Sequence, residues 1–409
     1  MAYHFFRTGR SEKRATAAIC LLLCRIQTRA NFQKGKVHPA RWTMLSFILK
    51  GWFLMYLQQS PLKHSFLTKL GVLAILSMIL AACGGGSSTG SSATSLHPGC
   101  VPGSNTQLVK LTSAHKVGWS QNALDGAWRY AEEASIEQEA AAHHYQLLKT
   151  NANNSDDQQV QDIENLINDR PDVLLVDPHT EDAEVKAILD ARKACIPVIV
   201  VDRDVNESMA TPGRDFATFV GSDFQKQGAL AADALIEALG GPATKATIVE
   251  LTGTTGSSPA ILRGGGFDGE LSTKAPGIKI VAEQTANFDR ATGQQVMATL
   301  IQQYPNIKGV FAHNDEMAIG AITALKAAGK HPGQDIQVVS IDGTKDAINL
   351  VLQGEEYAVV QSNPRLGPLV FQTLDQYIKG QDLPAWVVQP DKVFKKADGS
   401  AQAYLPDAF

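Results

Sequence analysis

Little in this sequence points to catalysis, and less to nucleic acid. From residue 108 onward there is no Gly-x-Ser-x-Gly elbow, no His-Glu-x-x-His, no Walker loop and no Cys-x-x-Cys pair, so the common hydrolase, nucleotide-hydrolysing and dithiol chemistries have no local signature. No Asp/Asn-rich loop has calcium-binding spacing. No metal and no cofactor is expected, and an enzyme is not. Gly264-Gly265-Gly266 is no dinucleotide fingerprint, because no strand runs directly into it. His143-His144 has no partners at metal-ligand spacing. Basic residues are scarce over most of the chain. Of 37 Lys and Arg and 41 Asp and Glu, residues 1–82 hold 12 and 1, which leaves 25 and 40 over residues 83–409 and a net charge of −15 there. Nucleic-acid binding rests on neutralising phosphates, and docking on anionic lipid needs basic clusters, so both are excluded as partners.

Hydrophobic runs long enough to span a bilayer, roughly 20 residues, are also missing. The run Leu70–Ala82 is shorter, is preceded by Lys63 and Lys69, and ends in Leu80-Ala81-Ala82-Cys83 before Gly84-Gly-Gly-Ser-Ser. That is the make-up of an export signal closed by a lipobox. It resembles bacterial lipoprotein signals, which implies Cys83 as the lipidated N-terminus and a membrane link through the lipid alone. Residues 1–54, with Cys20, Cys24 and the apolar patch Met44–Leu57, contain no readable domain, and translation is expected to start at Met44 or Met55. Residues 1–82 are therefore read as extension plus signal, and 83–107, rich in Gly and Ser, as a flexible tether. Two further cysteines, Cys100 and Cys195, are permitted to pair in an oxidising compartment; the plainer expectation is an unpaired Cys195 in the core.

What is present is a rhythm. Continuous apolar runs at Asp172–Asp177 and Ile196–Asp202 read as strands buried on both faces. Helical stripes lie between them, as at Val160, Ile163, Leu166 and Ile167. The same alternation resumes after Ala217 with strands at Thr247–Leu251, Gly309–Ala312 and Ile336–Ile341. Two α/β sets of similar size over 327 residues predict two lobes, each a parallel sheet flanked by helices.

In such sheets ligands lie beyond the carboxyl ends of the strands. The residues there are polar with aromatics interspersed: Trp119, Asp202-Arg203, Thr252-Gly-Thr-Thr, Asn287-Phe288, His313-Asn314-Asp315-Glu316, Asp342-Gly343 and Gln361. Carboxylates and amides beside arginines suit a neutral polyhydroxylated ligand, whose hydroxyls each donate and accept. Of Asn314 and Asp315, Asp315 is expected to cap the helix that follows and Asn314 to face the ligand. His313 is expected to be structural, and Trp128 is left open between core and stacking.

Ile196-Pro-Val-Ile-Val-Val-Asp-Arg203, Arg263-Gly-Gly-Gly-Phe267, His313-Asn-Asp-Glu-Met-Ala-Ile-Gly320 and Val339-Ser-Ile-Asp-Gly343 resemble the ribose/galactose-type periplasmic binding proteins, and within them the galactofuranose receptors. The resemblance covers roughly residues 116–391. It implies a two-lobed type I fold with three hinge segments, a monosaccharide ligand, an ABC permease as membrane partner, and a monomer. It carries ligand contacts onto Asp202, Arg203, Arg263, Asn314 and Asp342, stacking onto Trp119 and Phe288, and further contacts onto Asp125, Arg129 and Gln361. Asp125 and Gln361 stand where the galactofuranose receptors have Glu. With crossings near 221–223, 342–343 and 361–363, the first lobe is expected to hold 108–221 and 343–361, and the second 222–342 and 362–409. A receptor feeding a signalling kinase is the alternative of the same class. A transcription regulator lacks its basic helix-turn-helix here, and a glycan-processing enzyme has only the cleft carboxylates in its favour.

Overall fold

The computed structural model describes Cys100 and residues 108–409. The lipobox with Cys83, and the tether apart from Cys100, lie outside the described residues. Among the described residues no helix is long and apolar enough to cross a membrane.

The first lobe is built on β1 (Lys116–Gln121), β2 (Gln146–Asn151), β3 (Val173–Val176), β4 (Val198–Val201) and β5 (Thr218–Ser222), joined by α1 (Ala127–Ala142), α2 (Asp156–Asp169) and α3 (Val185–Lys193). The second repeats the plan with α4 (Phe224–Ala238), β6 (Ala246–Thr252), α5 (Ser258–Lys274), β7 (Ile278–Thr285), α6 (Arg290–Gln303), β8 (Gly309–Ala312), α7 (Asp315–Ala327), β9 (Gln337–Asp342), α8 (Lys345–Gln353) and β10 (Ala358–Gln361). Then come α9 (Gly367–Ile378), β11 (Trp386–Gln389), β12 (Val393–Lys395) and α10 (Ser400–Tyr404). The sheets run β11-β5-β4-β3-β1-β2 and β12-β10-β9-β8-β6-β7. All pairings are parallel except β12 on β10. In both sheets the order reverses beside the first strand, which opens a crevice at the strands' carboxyl ends.

Each sheet is buried on both faces, as the apolar runs require. Leu174, Val176, Val198 and Val200 pack on the α2–α3 side. Val117, Val173, Leu175, Ile199 and Val201 pack on the other side, with Ile136 of α1 and Val370, Phe371 and Leu374 of α9. Several helix starts are capped by a local side chain. Ser155 accepts from Gln158 N at the start of α2, whose first turn carries Asp156 and Asp157, and Asp223 and Asp289 do the same for α4 and α6.

The chain after residue 342 corrects the expected lobe boundaries. Strand β10 pairs with β9, register Gln361 to Asp342, so 343–361 belong to the second lobe. Helix α9 and strand β11 return to the first lobe, where β11 pairs with β5, and β12 goes back to the second. The three crossings are thus the Ser222–Phe224 junction, residues 362–366 and residues 390–392; Asp342–Gly343 is no crossing but leads into α8 of its own lobe. An apolar strand such as Ala358–Gln361 fits either sheet, and only its pairing decides.

Cys100 and Cys195 are joined by a disulfide across 95 residues of sequence, with Cα atoms 6.0 Å apart. This corrects the expectation of an unpaired thiol. Both residues pack with Val109, so the end of the tether is held to the first lobe just before β4, at the end of the sheet away from the crevice.

Candidate functional site: a cleft between the lobes

The two crevices face each other and form one cleft. The first lobe lines it with Asp125, Gly126, Trp128, Arg129, Asn154, Asp202 and Arg203. The second contributes Phe224, Thr254, Pro259, Arg263, Asn287, Phe288, Asn314, Glu316, Asp342 and Thr344. No lysine is among them.

On the first-lobe side the Arg129 Nη1 donates to Asp177 Oδ2 at 2.7 Å, Glu132 Oε2 at 2.8 Å and Asp202 Oδ2 at 3.0 Å. The three carboxylates lie close enough to hold a metal ion, but the guanidinium already stands among them and supplies the positive charge. Burial pulls Arg129 down, yet the charges of Asp177, Asp202 and Glu132 outweigh it and hold the guanidinium firmly protonated. Burial first, and Asp177 second, push Glu132 well above the carboxylate range. Burial raises Asp177 to about 7 despite Arg129 beside it. The cluster therefore retains a proton near neutrality, which limits the buried charge. Arg203 donates to His179 O at 2.8 Å, and burial lowers it to about 10, where it stays charged at pH 7.

On the second-lobe side Arg263 donates through Nε to Gln227 Oε1 at 2.9 Å and through Nη1 to His313 O at 2.6 Å, with Nη2 3.9 Å from Asp342 Oδ1. Of the glycines after Arg263, Gly266 is required by packing, whereas Gly265 has no atom near its missing side chain. A Cβ on Gly266 would stand 2.0 Å from Gln225 O and one on Gly228 2.0 Å from Arg263 O, so α4 and α5 touch backbone to backbone. Burial, then the nearby Asp315, raise Asp342 well above its usual range, against the pull of Arg263. Phe288 lies over Gly253, where a Cβ would meet its ring at 1.9 Å. The guanidinium carbons of Arg203 and Arg263 stand 5.5 and 5.8 Å from that ring's centre, one from each lobe, within cation–π range. Helices α7 and α8 point their N-termini at the cleft, capped by Asn314 and Thr344, and add positive dipole ends there.

The lobes touch directly around this cleft. Glu181 N donates to Gly256 O at 2.9 Å, Asp204 N to Ser258 Oγ at 2.8 Å, and Trp128 Nε1 to Ser362 O in the second crossing at 2.7 Å. The conformation is a closed one.

Most of the expected residues meet here, and two do not. Trp119 is fully buried in the first-lobe core with Ile136 and Phe371; it shares the face of Val117, so it is packing and not a stacking platform. Gln361 is absent from the cleft lining and lies at the hinge, its N–H donating to Lys392 O at 2.7 Å. Trp128 takes the aromatic place in the cleft instead. The cap falls to Asn314 and not to Asp315. Asn314 Oδ1 accepts from Met317 N while its amide donates to Phe288 O. Asp315 is a buried strut that accepts from Ser340 Oγ, Gly343 N and both Thr344 N and Oγ1, which fixes the loop behind Asp342. Asn314 thus lines the cleft as a cap whose amide is already engaged. His313 is fully buried, its Nε2 2.7 Å from Glu250 Oε1 and its Nδ1 facing Gly253 N; burial lowers it to about 3, so it is neutral. Asp125 sits exposed at the rim and accepts from Asn154 Nδ2 at 2.6 Å. Glu132 and Asp177 escaped the sequence reading. Asp177 had a signal, as the first residue after β3, and Glu132 had one in its helical i+3 spacing from Arg129.

Residues 117–382 match the model of the family described as periplasmic binding protein domain. The ribose import binding protein of Bacillus subtilis is 33% identical over 278 residues, which is 68% of this chain and 86% of that protein. The galactofuranose-binding protein of Escherichia coli is 33% identical over 279 residues, again 68% and 86%. A solved structure from Mycobacterium smegmatis in complex with β-D-fucofuranose superposes with a TM-score of 0.67 at 35% identity, covering 72% of this chain and 95% of that one.

Proposed function

The chain belongs to the periplasmic binding protein family, as a sugar-binding protein of the ABC-importer type and not an enzyme, and from that premise we propose which ligand it takes and how it is held. It is a lipid-anchored extracytoplasmic receptor, tethered through Cys83. It closes its lobes on one monosaccharide in a furanose form, galactofuranose-like, and presents the closed form to a membrane permease as a monomer.

The observation that carries this reading is the cleft's mixed lining. Asp202 and Arg203 from one lobe and Arg263 and Asp342 from the other line it together, with the rings of Phe288 and Trp128 among them. Acceptors and donors stand together, as a set of hydroxyls needs, and the aromatic rings suit the apolar C–H faces of a sugar. The contacts expected are Asp125, Arg129, Asp202, Arg203, Arg263, Phe288, Asn314 and Asp342, together with Trp128. Hydrogen bonds to charged groups contribute about 1.5–3 kcal/mol each. After desolvation and lobe closure, several of them suffice for roughly micromolar affinity, about −8 kcal/mol. The preference for a furanose is supported by similarity to a galactofuranose-binding protein and to a structure holding β-D-fucofuranose.

The test is to express the chain from Cys83 on in its host, release what co-purifies by denaturation, and identify it by mass spectrometry. A stoichiometric monosaccharide in the wild type that is absent from the Asp202→Ala, Arg263→Ala double variant supports the proposal. A stoichiometric ligand of another class, or the same sugar in both proteins, overturns it.

A further inference from the structure

Gln227 sits in α4, only 1% exposed, behind the cleft. Its Oε1 accepts from Arg263 Nε at 2.9 Å. Its Nε2 donates to Asp391 Oδ2 at 2.8 Å, in the third crossing, and lies 3.3 Å from Gln361 O, at the start of the second. The Ser222 hydroxyl, from the first crossing, and the Asn363 N–H, from the second, also face the Asp391 carboxylate and favour its charge. One buried amide therefore links a cleft arginine to two crossings, and its partner Asp391 gathers all three. The glycine contact of α4 on α5 brings Gln227 and Arg263 this close.

We propose that Gln227 is a positioning residue that couples the occupancy of the cleft to the angle of the hinge. Arg263 is aimed by two fixed acceptors, Gln227 Oε1 and His313 O. A ligand that draws on its remaining N–H groups pulls on a side chain whose back is tied to the crossings. Conversely, a change at the crossings moves Gln227 and with it Arg263. The amide is suited to this because it accepts on one side and donates on the other, which no apolar or carboxylate side chain of similar size does. The inference rests on the sugar-receptor reading only for its affinity readout.

Two variants separate the limbs. Gln227→Met removes both. Gln227→Glu keeps an acceptor for Arg263 Nε but replaces the amide donor with a carboxyl group that must share a proton with Asp391 or repel it. Interlobe distances are measured by spin-label pairs, one on each lobe, without sugar and with D-galactose or D-ribose, alongside sugar affinity and melting temperature. The expected result is a broadened, more open distance distribution in both variants without sugar, and affinity weakened on the order of tenfold in Gln227→Met. Wild-type distance distributions in both variants overturn the proposal, even with a lowered melting temperature, since a purely structural role moves the melting point alone. Where Gln227→Met does not fold, Gln227→Glu decides. If the wild type binds neither sugar, the affinity arm drops out, and the sugar-free distances still decide the role of Gln227.

Discussion

Replacing Asp202 with Asn keeps the size of the side chain and removes one charge from the most crowded part of the cleft. In the native protein Asp202 Oδ2 shares the Arg129 Nη1 with Asp177 and Glu132, all within 3.0 Å. The amide oxygen can take the same bond from Arg129, so the site stays paired. A ligand hydroxyl that donated to the carboxylate now meets a neutral amide. The difference between a charged and a neutral hydrogen bond is about 1–2 kcal/mol, roughly a 5–30-fold loss in affinity. Stability moves the other way. Asp202 is one of the charges that raise Asp177, so its removal lets Asp177 ionise more easily and relieves repulsion among buried carboxylates. Calorimetric titration and thermal melting of the same two samples read both effects. The expected result is weaker sugar binding with an equal or higher melting temperature. Unchanged affinity refutes the assignment of Asp202 to the ligand, and a large drop in melting temperature refutes the view of the cluster as self-repelling.

Gly253→Ala places a methyl group 1.9 Å from the present Phe288 ring position, so the ring must leave its place between Arg203 and Arg263; sugar affinity is expected to fall about tenfold with little change in circular dichroism. Removing the disulfide by Cys100→Ser with Cys195→Ser releases a loop of 95 residues, for which chain entropy gives at most ~5 kcal/mol. Melting by calorimetry is expected near 10 °C lower, about 2 °C or more per kcal/mol, with sugar affinity unchanged because the bridge lies away from the cleft. Burial raises Asp177 and Asp204 to about 7, Glu184 to about 8, and Asp315 and Asp391 to about 6. Folded-state values above the ordinary ones mean that the native state binds more protons than the unfolded chain between about pH 4 and 8. Stability from these groups is therefore greatest at the acid end and is lost as pH rises through that window. Melting temperature is expected to be higher at pH 5.5 than at pH 8.5, and a higher value at pH 8.5 contradicts the placement of these carboxylates.

Much of this architecture is legible in the sequence because parallel strands buried on both faces announce themselves. Val173–Val176 and Val198–Val201 are unbroken apolar runs, and the polar residues after such strands, Asp202-Arg203 above all, land in the cleft. What escaped depends on pairings that local sequence does not encode. The strand Ala358–Gln361 reads equally well in either sheet. Asn314 and Asp315 are both capping residue types, and their roles are divided by Ser340 and Thr344, which arrive from another segment. Trp119 follows Val117 by two residues, and period-two alternation put it on the core face; the proximity of the strand end to the ligand region overrode that simpler rule. The Cys100–Cys195 bridge needed the path of the tether, and the acid cluster around Arg129 draws on three separate elements.

The central claim is that the cleft between Asp202–Arg203 and Arg263–Asp342 holds one monosaccharide. Calorimetric titration of the chain from Cys83 onward, stripped of ligand, with D-ribose, D-galactose, L-arabinose and D-fucose tests it most directly. One-to-one binding of at least one of these at roughly micromolar affinity, abolished in the Asp202→Ala, Arg263→Ala double variant, is the predicted result. No heat with any of the four, or binding that survives the double substitution, contradicts it.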